Sequence, residues 1–386
     1  MDTIYFDNAA TTPLDERVLE AMLPYMKSHY GNANSAHHLG QKTKVIVEDA
    51  REQVAATIGA EPSEIVFTSG GTESDNAVIN GVLAVSGNKK EVVTNELEHH
   101  AVLHPIEFSK MRGFTPRFAQ PIDCGTITAQ AVADVITDQT ALVSIMHVNN
   151  ELGCINPMKE IAEVCKEHDV LFHSDTVQSL GKIPVHVDDL GLDFLSGSGH
   201  KIYGPKGIGI MYVRNGSKWI PWMTGGSQER RRRGGTLNVP GIVGFAKALE
   251  LAVQEMEGQQ QHFGRLRSSM LNKLQTSDTY TFAINGSEEN GVNHILNLSF
   301  FDTDGKGIDG EMLLLNLDIE GICVSNGSAC TSGAMEPSHV LTGLGLEEGK
   351  ARSSIRISFG KQNTEEEVTY VADRLDATLE RMFALV

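Results

Sequence analysis

Between about residues 60 and 215 the chain alternates short apolar runs with amphipathic stretches. Ile65-Val66-Phe67 leads into Thr68-Ser69-Gly70-Gly71-Thr72-Glu73 and a helix-like stretch to about Leu83. Glu91-Val92-Val93-Thr94 precedes Glu98-His99-His100, and residues 141–148, nearly all apolar, end in Asn149-Asn150-Glu151. Val170-Leu171-Phe172-His173 ends in Ser174-Asp175, and Phe194-Leu195 ends in Ser196-Gly197-Ser198-Gly199-His200-Lys201. Strands alternating with helices predict βαβ units and an α/β fold, with a mainly parallel sheet covered on both faces. Ligands of such sheets bind beyond the carboxyl ends of the strands. The polar clusters at Gly71-Thr72, His99, Asn150, Asp175 and Ser198-Lys201 all fall at that edge, so their convergence predicts a site.

The pattern changes after residue 215. Pro221-Trp222, Gly225-Gly226-Ser227-Gln228, the run from Arg230 to Arg233 and Gly234-Gly235-Thr236 read as a loop. Four consecutive arginines suit a solvated face, and the glycines around them suit close approach to an anion or a second subunit. Residues 241–280 read as one long helix. The segment 291–386 mixes strands (His294-Ile295-Leu296-Asn297-Leu298-Ser299-Phe300; Ile355-Arg356-Ile357-Ser358) with helices and reads as a smaller α+β domain. The first dozen residues are expected to fold back onto it.

A length of 386 residues allows two or three domains. No apolar run reaches the length of a membrane span, and Met1-Asp2-Thr3-Ile4-Tyr5-Phe6-Asp7 lacks the basic and apolar regions of a secretory signal. A net charge of −18 argues against binding a phosphate backbone, so no nucleic-acid partner is expected. The five cysteines, Cys124, Cys154, Cys165, Cys323 and Cys330, show no CxxC spacing, so no metal site is expected. They read as the reduced thiols of a cytoplasmic protein.

Several clusters carry candidate chemistry. Lys201, presented by a small-residue turn at a strand end, is placed to form a Schiff base with a carbonyl cofactor, although most such lysines are solvated. Residues 68–73 form a strand, a turn and a helix start, where free N–H groups bind phosphate. The GK[ST] ending of a P-loop is missing, and a plain N-cap by Ser69 or Thr72 fits equally well. Asp175 is either an N-cap or a carboxylate that keeps a pyridinium protonated, and Gln178 shares its face. His99 can stack on a ring and move protons, or cap a helix. Cys330, among Ser325-Asn326-Gly327-Ser328-Ala329 and Thr331-Ser332-Gly333, has the small polar surroundings of an accessible thiol; Cys323, among apolar neighbours, reads as structural. Arg356, a charge on an apolar strand, needs either an internal carboxylate or that of a substrate.

Together these segments resemble the cysteine desulfurases, the NifS/IscS-like branch of the class V, fold-type I pyridoxal-phosphate enzymes. The matching stretches are Tyr5-Phe6-Asp7-Asn8-Ala9-Ala10-Thr11-Thr12, Tyr30-Gly31-Asn32, residues 68–76, Glu98-His99, residues 146–153, 173–178 and 196–207, Gly234-Gly235-Thr236 and residues 327–332. The resemblance implies a large cofactor-binding domain over residues 15–255, with a mainly parallel seven-stranded sheet covered by helices. Residues 1–14 and 256–386 would form the small α+β domain carrying the cysteine loop. It implies pyridoxal 5'-phosphate as cofactor, with Lys201 as the Schiff-base lysine, Asp175 on the pyridinium nitrogen, Gln178 on the phenolic oxygen and His99 stacked on the ring and acting in proton transfer. Gly71, Thr72, Ser198 and His200 would hold the phosphate, and Thr236 would reach that of a neighbouring subunit in a homodimer. Asn34, Asn150 and Arg356 would position L-cysteine. Cys330 would be the nucleophile, taking sulfur as a persulfide, releasing L-alanine and passing sulfur to an acceptor protein for iron–sulfur cluster assembly or for tRNA or cofactor thiolation.

The chain departs from the pattern at Ala33, where relatives often carry proline, at Asp75, where Asn is frequent, in Ser358-Phe359-Gly360-Lys361, and in the basic run Arg230 to Arg233. From the residues alone, three alternatives stay open. One is a selenocysteine lyase or small-amino-acid aminotransferase on the same scaffold. The others are a non-catalytic sulfur or iron carrier using Cys330 alone, and a nucleotide-binding domain using the Gly70-Gly71 turn.

Overall fold

The computed structural model describes residues 3–274, 279–326 and 337–384. Strand β1 (Ile4–Tyr5) opens the chain, followed by β2 (Ile65–Thr68), β3 (Glu91–Thr94), β4 (Thr115–Phe118), β5 (Thr140–Ser144), β6 (Leu171–Asp175), β7 (Phe194–Ser198) and β8 (Gly209–Val213). Strands β2 to β8 form one seven-stranded sheet in the order β2-β8-β7-β6-β5-β3-β4. Only β8 runs against its neighbours; the other pairings are parallel. This is the mainly parallel α/β sheet expected from the alternation.

Its strands are short and apolar because both faces are covered. Successive side chains point to opposite faces: Phe172 and Leu195 enter one buried cluster with Val54, Ile58, Phe245 and Leu249, while Phe194 and Leu142 enter another with Val66, Ile79 and Val102. Strand β4 is the exception, an edge strand carrying Pro116 with only half-buried side chains. Its weak pattern escapes a reading of hydrophobicity alone.

A 36-residue helix, Val239–Leu274, packs against helices Glu16–Lys27, His38–Ile58 and Glu365–Phe383. Ile242, Phe245 and Leu249 of its first half lie in the sheet's core; Phe263, Leu266 and Met270 of its second half lie in a separate core. That second core also takes residues from β9 to β12: β9 (Thr281–Asn285), β10 (Ile295–Phe301), β11 (Ile322–Cys323) and β12 (Ser354–Ser358). Strands β12-β10-β9 form an antiparallel sheet. Strand β1 pairs in parallel with β11, and Phe6 is fully buried in the second core.

Two sequence expectations ran past the observed elements. The long helix is described to Leu274, and Thr279 and Tyr280 lie outside it; Tyr280 turns into the second core beside Phe300, their ring centroids 5.9 Å apart. The apolar run 141–148 is a strand only to Ser144; beyond it the Ile145 and His147 N–H groups still reach β6 carbonyls, while the Met146 N–H goes to Glu98 Oε1 at 2.7 Å.

Candidate active site

Strands β2, β6 and β7 deliver three groups to the same edge. After β2 the chain turns at Gly70, in a left-handed conformation (φ 152°), and the helix Gly71–Leu83 begins with no side-chain cap. Its first N–H groups are thus free for an anion. A Cβ on Gly71 would stand 2.7 Å from Val177 Cγ2, so only glycine fits between the helix start and the turn after β6. Ser198, at the end of β7, lies beside the same turn. Thr72 is exposed on the helix's first turn.

Asp175 closes β6 and is 8% exposed. Its Oδ1 accepts the Val177 N–H at 2.8 Å. Burial raises its pKa to about 6, while that N–H and Lys201 work in the opposite direction. Lys201 lies on a single 3-10 turn after β7. Its Nζ donates to the carbonyl oxygens of Ala9, at 2.5 Å, and Ala10, at 2.7 Å. Burial and then Arg356 lower its pKa to about 8, with Asp175 and Asp7 opposing. The amine is therefore a usable nucleophile and base near neutral pH.

Gln178 donates from Nε2 to Ala9 O at 2.8 Å and accepts from Lys182 Nζ at 2.8 Å. His99 caps the helix His100–Ser109, accepting the Ala101 N–H at Nδ1. Accepting at Nδ1 places the ring proton on Nε2. Burial, then Lys201, lowers its pKa to about 4, so it is neutral at pH 7. His200 bonds Thr11 Oγ1 at 3.0 Å through Nδ1 and pins the N-terminal segment through its carbonyl, which accepts from Thr12.

Arg356 is 4% exposed on β12. It donates to Asn150 O at 2.9 Å and to Asp7 Oδ1 at 2.8 Å, so the internal ion pair left open by the sequence is present. Among the described residues its buried Nε has no hydrogen-bond partner. The N-terminal segment, Asp7 to Thr12, thus joins Lys201, Gln178, His200 and Arg356 into one constellation. Asn34 is exposed, its N–H held by Asn32 Oδ1, and no described contact ties it to that constellation. Thr236 is exposed on a loop beside Gly235 (φ 102°), likewise without such a contact. Cys330 lies outside the described residues. Cys323 is half-buried on β11, and burial raises its pKa.

The arginine run is not a plain solvated face. Arg230 reaches Pro62 O and Glu48, Arg232 reaches Ser63 O, and Arg233 grips Glu73 at 2.8 Å. Glu229 ahead of them is buried in a two-point pair with Arg51. Residues 229–231 take left-handed conformations to permit this.

Sequence reasoning missed the groups behind the rim. Glu98 is fully buried; its Oε1 accepts from Asn95 and Met146, its Oε2 has no partner, and burial raises its pKa to about 8. Asp75, also buried, stands 3.5 Å from His173 Nε2. Burial and Asp175 hold its pKa well above the carboxylate range. Lys182 was missed too, although it lies four residues after Gln178, a spacing that brings side chains together.

The site suits pyridoxal phosphate: a half-buried amine with a lowered pKa, a buried carboxylate and an uncapped helix start lie at one sheet edge. The comparisons agree. The model of the family described as aminotransferase class-V matches residues 4–371. The chain is 44% identical over 383 residues to a cysteine desulfurase IscS of Dictyoglomus turgidum, covering 98% of this chain and 95% of that one. A solved NifS-like protein superposes with a TM-score of 0.91 at 38% identity, over 98% of this chain and all of that one. A structure titled SspA in complex with cysteine superposes at 0.82 with 39% identity, over 92% and 99%.

Proposed function

This chain belongs to the class-V aminotransferase family, and we propose that it works as a pyridoxal-phosphate-dependent cysteine desulfurase, converting L-cysteine to L-alanine and retaining the sulfur. The observation that carries the reading is Lys201: a half-buried amine with its pKa lowered to about 8, at the rim that also holds Asp175. High identity to desulfurases along almost the whole chain supports the substrate, as does the cysteine-bound neighbour.

In this reading Lys201 holds the cofactor covalently through Nζ. Gly71, Thr72, Ser198 and His200 Nε2 hold its phosphate, Asp175 faces its ring nitrogen, Gln178 its phenolic oxygen, and His99 its ring. Once bound, the cofactor draws electron density away from the substrate's Cα. Asp175 keeps its charge because the Val177 N–H stabilises the carboxylate against burial. Lys201 Nζ, when it is a free amine, would take the proton from Cα, and His99 Nε2 would hold a second proton for transfer. Arg356 fixes the substrate carboxylate by a charge-assisted pair, with Asn150 and Asn34 lining the approach. The Cys330 thiolate attacks the substrate sulfur; the new S–S bond leaves a persulfide, and the electrons of the broken C–S bond stay with carbon, which is protonated to alanine.

Residues 15–255 form the cofactor domain in this reading, and residues 1–14 with 256–386 the small domain. The functional unit is a homodimer in which Thr236 reaches the neighbouring subunit's phosphate. Exposed Ile220, Trp222 and Met223 ahead of that loop support a protein contact there. The persulfide passes to an acceptor protein of iron–sulfur cluster assembly or thiolation. We place the enzyme in the cytoplasm; among the described residues no helix is long and apolar enough to cross a membrane.

The test is an absorption spectrum of the purified protein before and after L-cysteine, with alanine and sulfide assayed together. A visible lysine–cofactor band with equal alanine and reductant-released sulfide is expected. A band without alanine moves the function to another reaction of the family; no band after adding pyridoxal phosphate overturns the reading.

A further inference from the structure

Gln178 is held at both ends of its amide: Nε2 donates to Ala9 O at 2.8 Å, and Oε1 accepts from Lys182 Nζ at 2.8 Å. A carboxamide turned by half a revolution keeps its shape and exchanges donor for acceptor. Its direction is therefore set by partners that play one role only. A carbonyl only accepts and an ammonium only donates, so Ala9 and Lys182 enforce the same direction. The NH2 end faces the Ala9 carbonyl, which Lys201 Nζ also uses, at 2.5 Å. The donating end of Gln178 and the amine of Lys201 thus meet at one oxygen.

Lys182 is half-buried, and desolvation, then Lys201 and Arg356, lower its pKa to about 7, so it stands as an ammonium on the acid side of neutrality. The groups that face it are cationic or neutral: Lys201, Arg356 and His200 around the rim, and His294, whose ring nitrogens are both unpartnered. Among the described residues no carboxylate forms an ion pair with it. Lys201 in turn faces Arg356, Asp175, Asp7 and His99. Lys182, Lys201, Tyr203, His294 and Phe359 line one small cavity. A desolvated amine without a counterion is costly, and an apolar residue of similar length would pack there at lower cost.

We propose that Lys182 is a positioning residue that locks the Gln178 amide with its N–H toward the phenolic oxygen of bound pyridoxal phosphate, and so sets the protonation of the Lys201 linkage. This rests on the desulfurase reading above. A donor on the phenolic oxygen stabilises the more anionic, deprotonated form of the linkage and lowers its pKa. With Lys182 gone, only the Ala9 carbonyl still orients the amide, so its oxygen is presented in a larger share of molecules and the pKa rises.

The experiment titrates the visible band of the holoenzyme from about pH 6 to about 10 for the wild type, Lys182→Met, Lys182→Arg, Gln178→Ala and the double variant Lys182→Met/Gln178→Ala, with melting temperatures of each. We expect Lys182→Met to raise the midpoint by about one pH unit without lowering the melting temperature, and Lys182→Arg, a pure donor at every pH, to leave it at or below the wild-type value. Gln178→Ala should raise it similarly, and the double variant should equal Gln178→Ala alone, as for residues acting through one another. An unchanged midpoint in Lys182→Met overturns the proposal. So does full additivity in the double variant, which would mean that Lys182 acts by its charge and not through Gln178. A wild type with no visible band overturns the desulfurase reading and this inference with it; a normal wild-type band with unresponsive variants overturns this inference alone.

Discussion

Arg356 and Asp7, 349 residues apart in sequence, meet in a nearly buried ion pair with Nη2 2.8 Å from Oδ1. The pair ties β12 to the segment whose Ala9 carbonyl receives Lys201 and Gln178. In the desulfurase reading a substrate carboxylate engages the same guanidinium, whose Nε is still unpartnered. Arg356→Ala should then raise KM for L-cysteine on the order of tenfold to a hundredfold, the loss of one charge-assisted pair. Initial rates over a range of cysteine concentrations check this; a change in kcat alone would contradict the assignment.

Lys201→Ala should abolish the visible band and lower turnover by at least about a thousandfold, the scale of losing a covalent and acid–base group. Circular dichroism should show an unchanged fold, since Nζ meets only two carbonyls at the end of a turn.

Cys330→Ser should leave the visible band intact and remove persulfide and alanine production together. Mass spectrometry of the protein after a single turnover, looking for one added sulfur on the wild type and none on the variant, reads this directly. A variant that keeps turnover with cysteine would shift the function to the aminotransferase or lyase alternatives.

His173, fully buried between Ser144 Oγ and Ser196 Oγ, has its pKa pushed down to about 3 by burial. The unfolded chain, with a histidine near 6.5, takes the proton first as pH falls. The stability from neutral His173 is therefore present above about pH 6.5 and is lost progressively as pH drops toward 3. Between pH 7 and 5 the wild type should lose about 2 kcal/mol more than His173→Gln, a difference urea unfolding at the two pH values resolves.

Arg51 and Glu229 form a buried two-point pair, at 2.8 and 2.7 Å, and Glu229 Oε2 also accepts the Phe67 N–H of β2 at 2.8 Å. Arg51→Ala leaves that carboxylate buried and uncompensated, so it should cost about 3–5 kcal/mol by urea unfolding. Because Glu229 anchors the loop that carries Thr236, the same variant should also weaken retention of the cofactor in dialysis.

The alternation of short apolar runs with amphipathic stretches made β2, β3, β6 and β7 legible, since a strand covered on both faces must be apolar along its length. The positions of Asp175, Ser198 and Lys201 at strand ends follow from the same pattern: an apolar run that stops in small or polar residues marks where the strand leaves the sheet. Edge strand β4 was not legible, because it buries little, and neither was β8, whose glycine-led run Gly209–Val213 carries no signal of its reversed direction.

The sequence by itself determined the sheet class and the candidate lysine, carboxylate and helix start, because these depend on local periodicity and on the chemistry of residues close together in the chain. Only the tertiary structure decided that the Ala9 carbonyl receives Lys201, that Arg356 pairs with Asp7, that Lys182 holds Gln178 and that Asp75 and Glu98 stand buried behind Asp175. Those contacts join residues far apart in the chain or separated by a turn, and their energies come from burial. No local pattern encodes how deeply a charge is taken out of water or which distant carbonyl it meets.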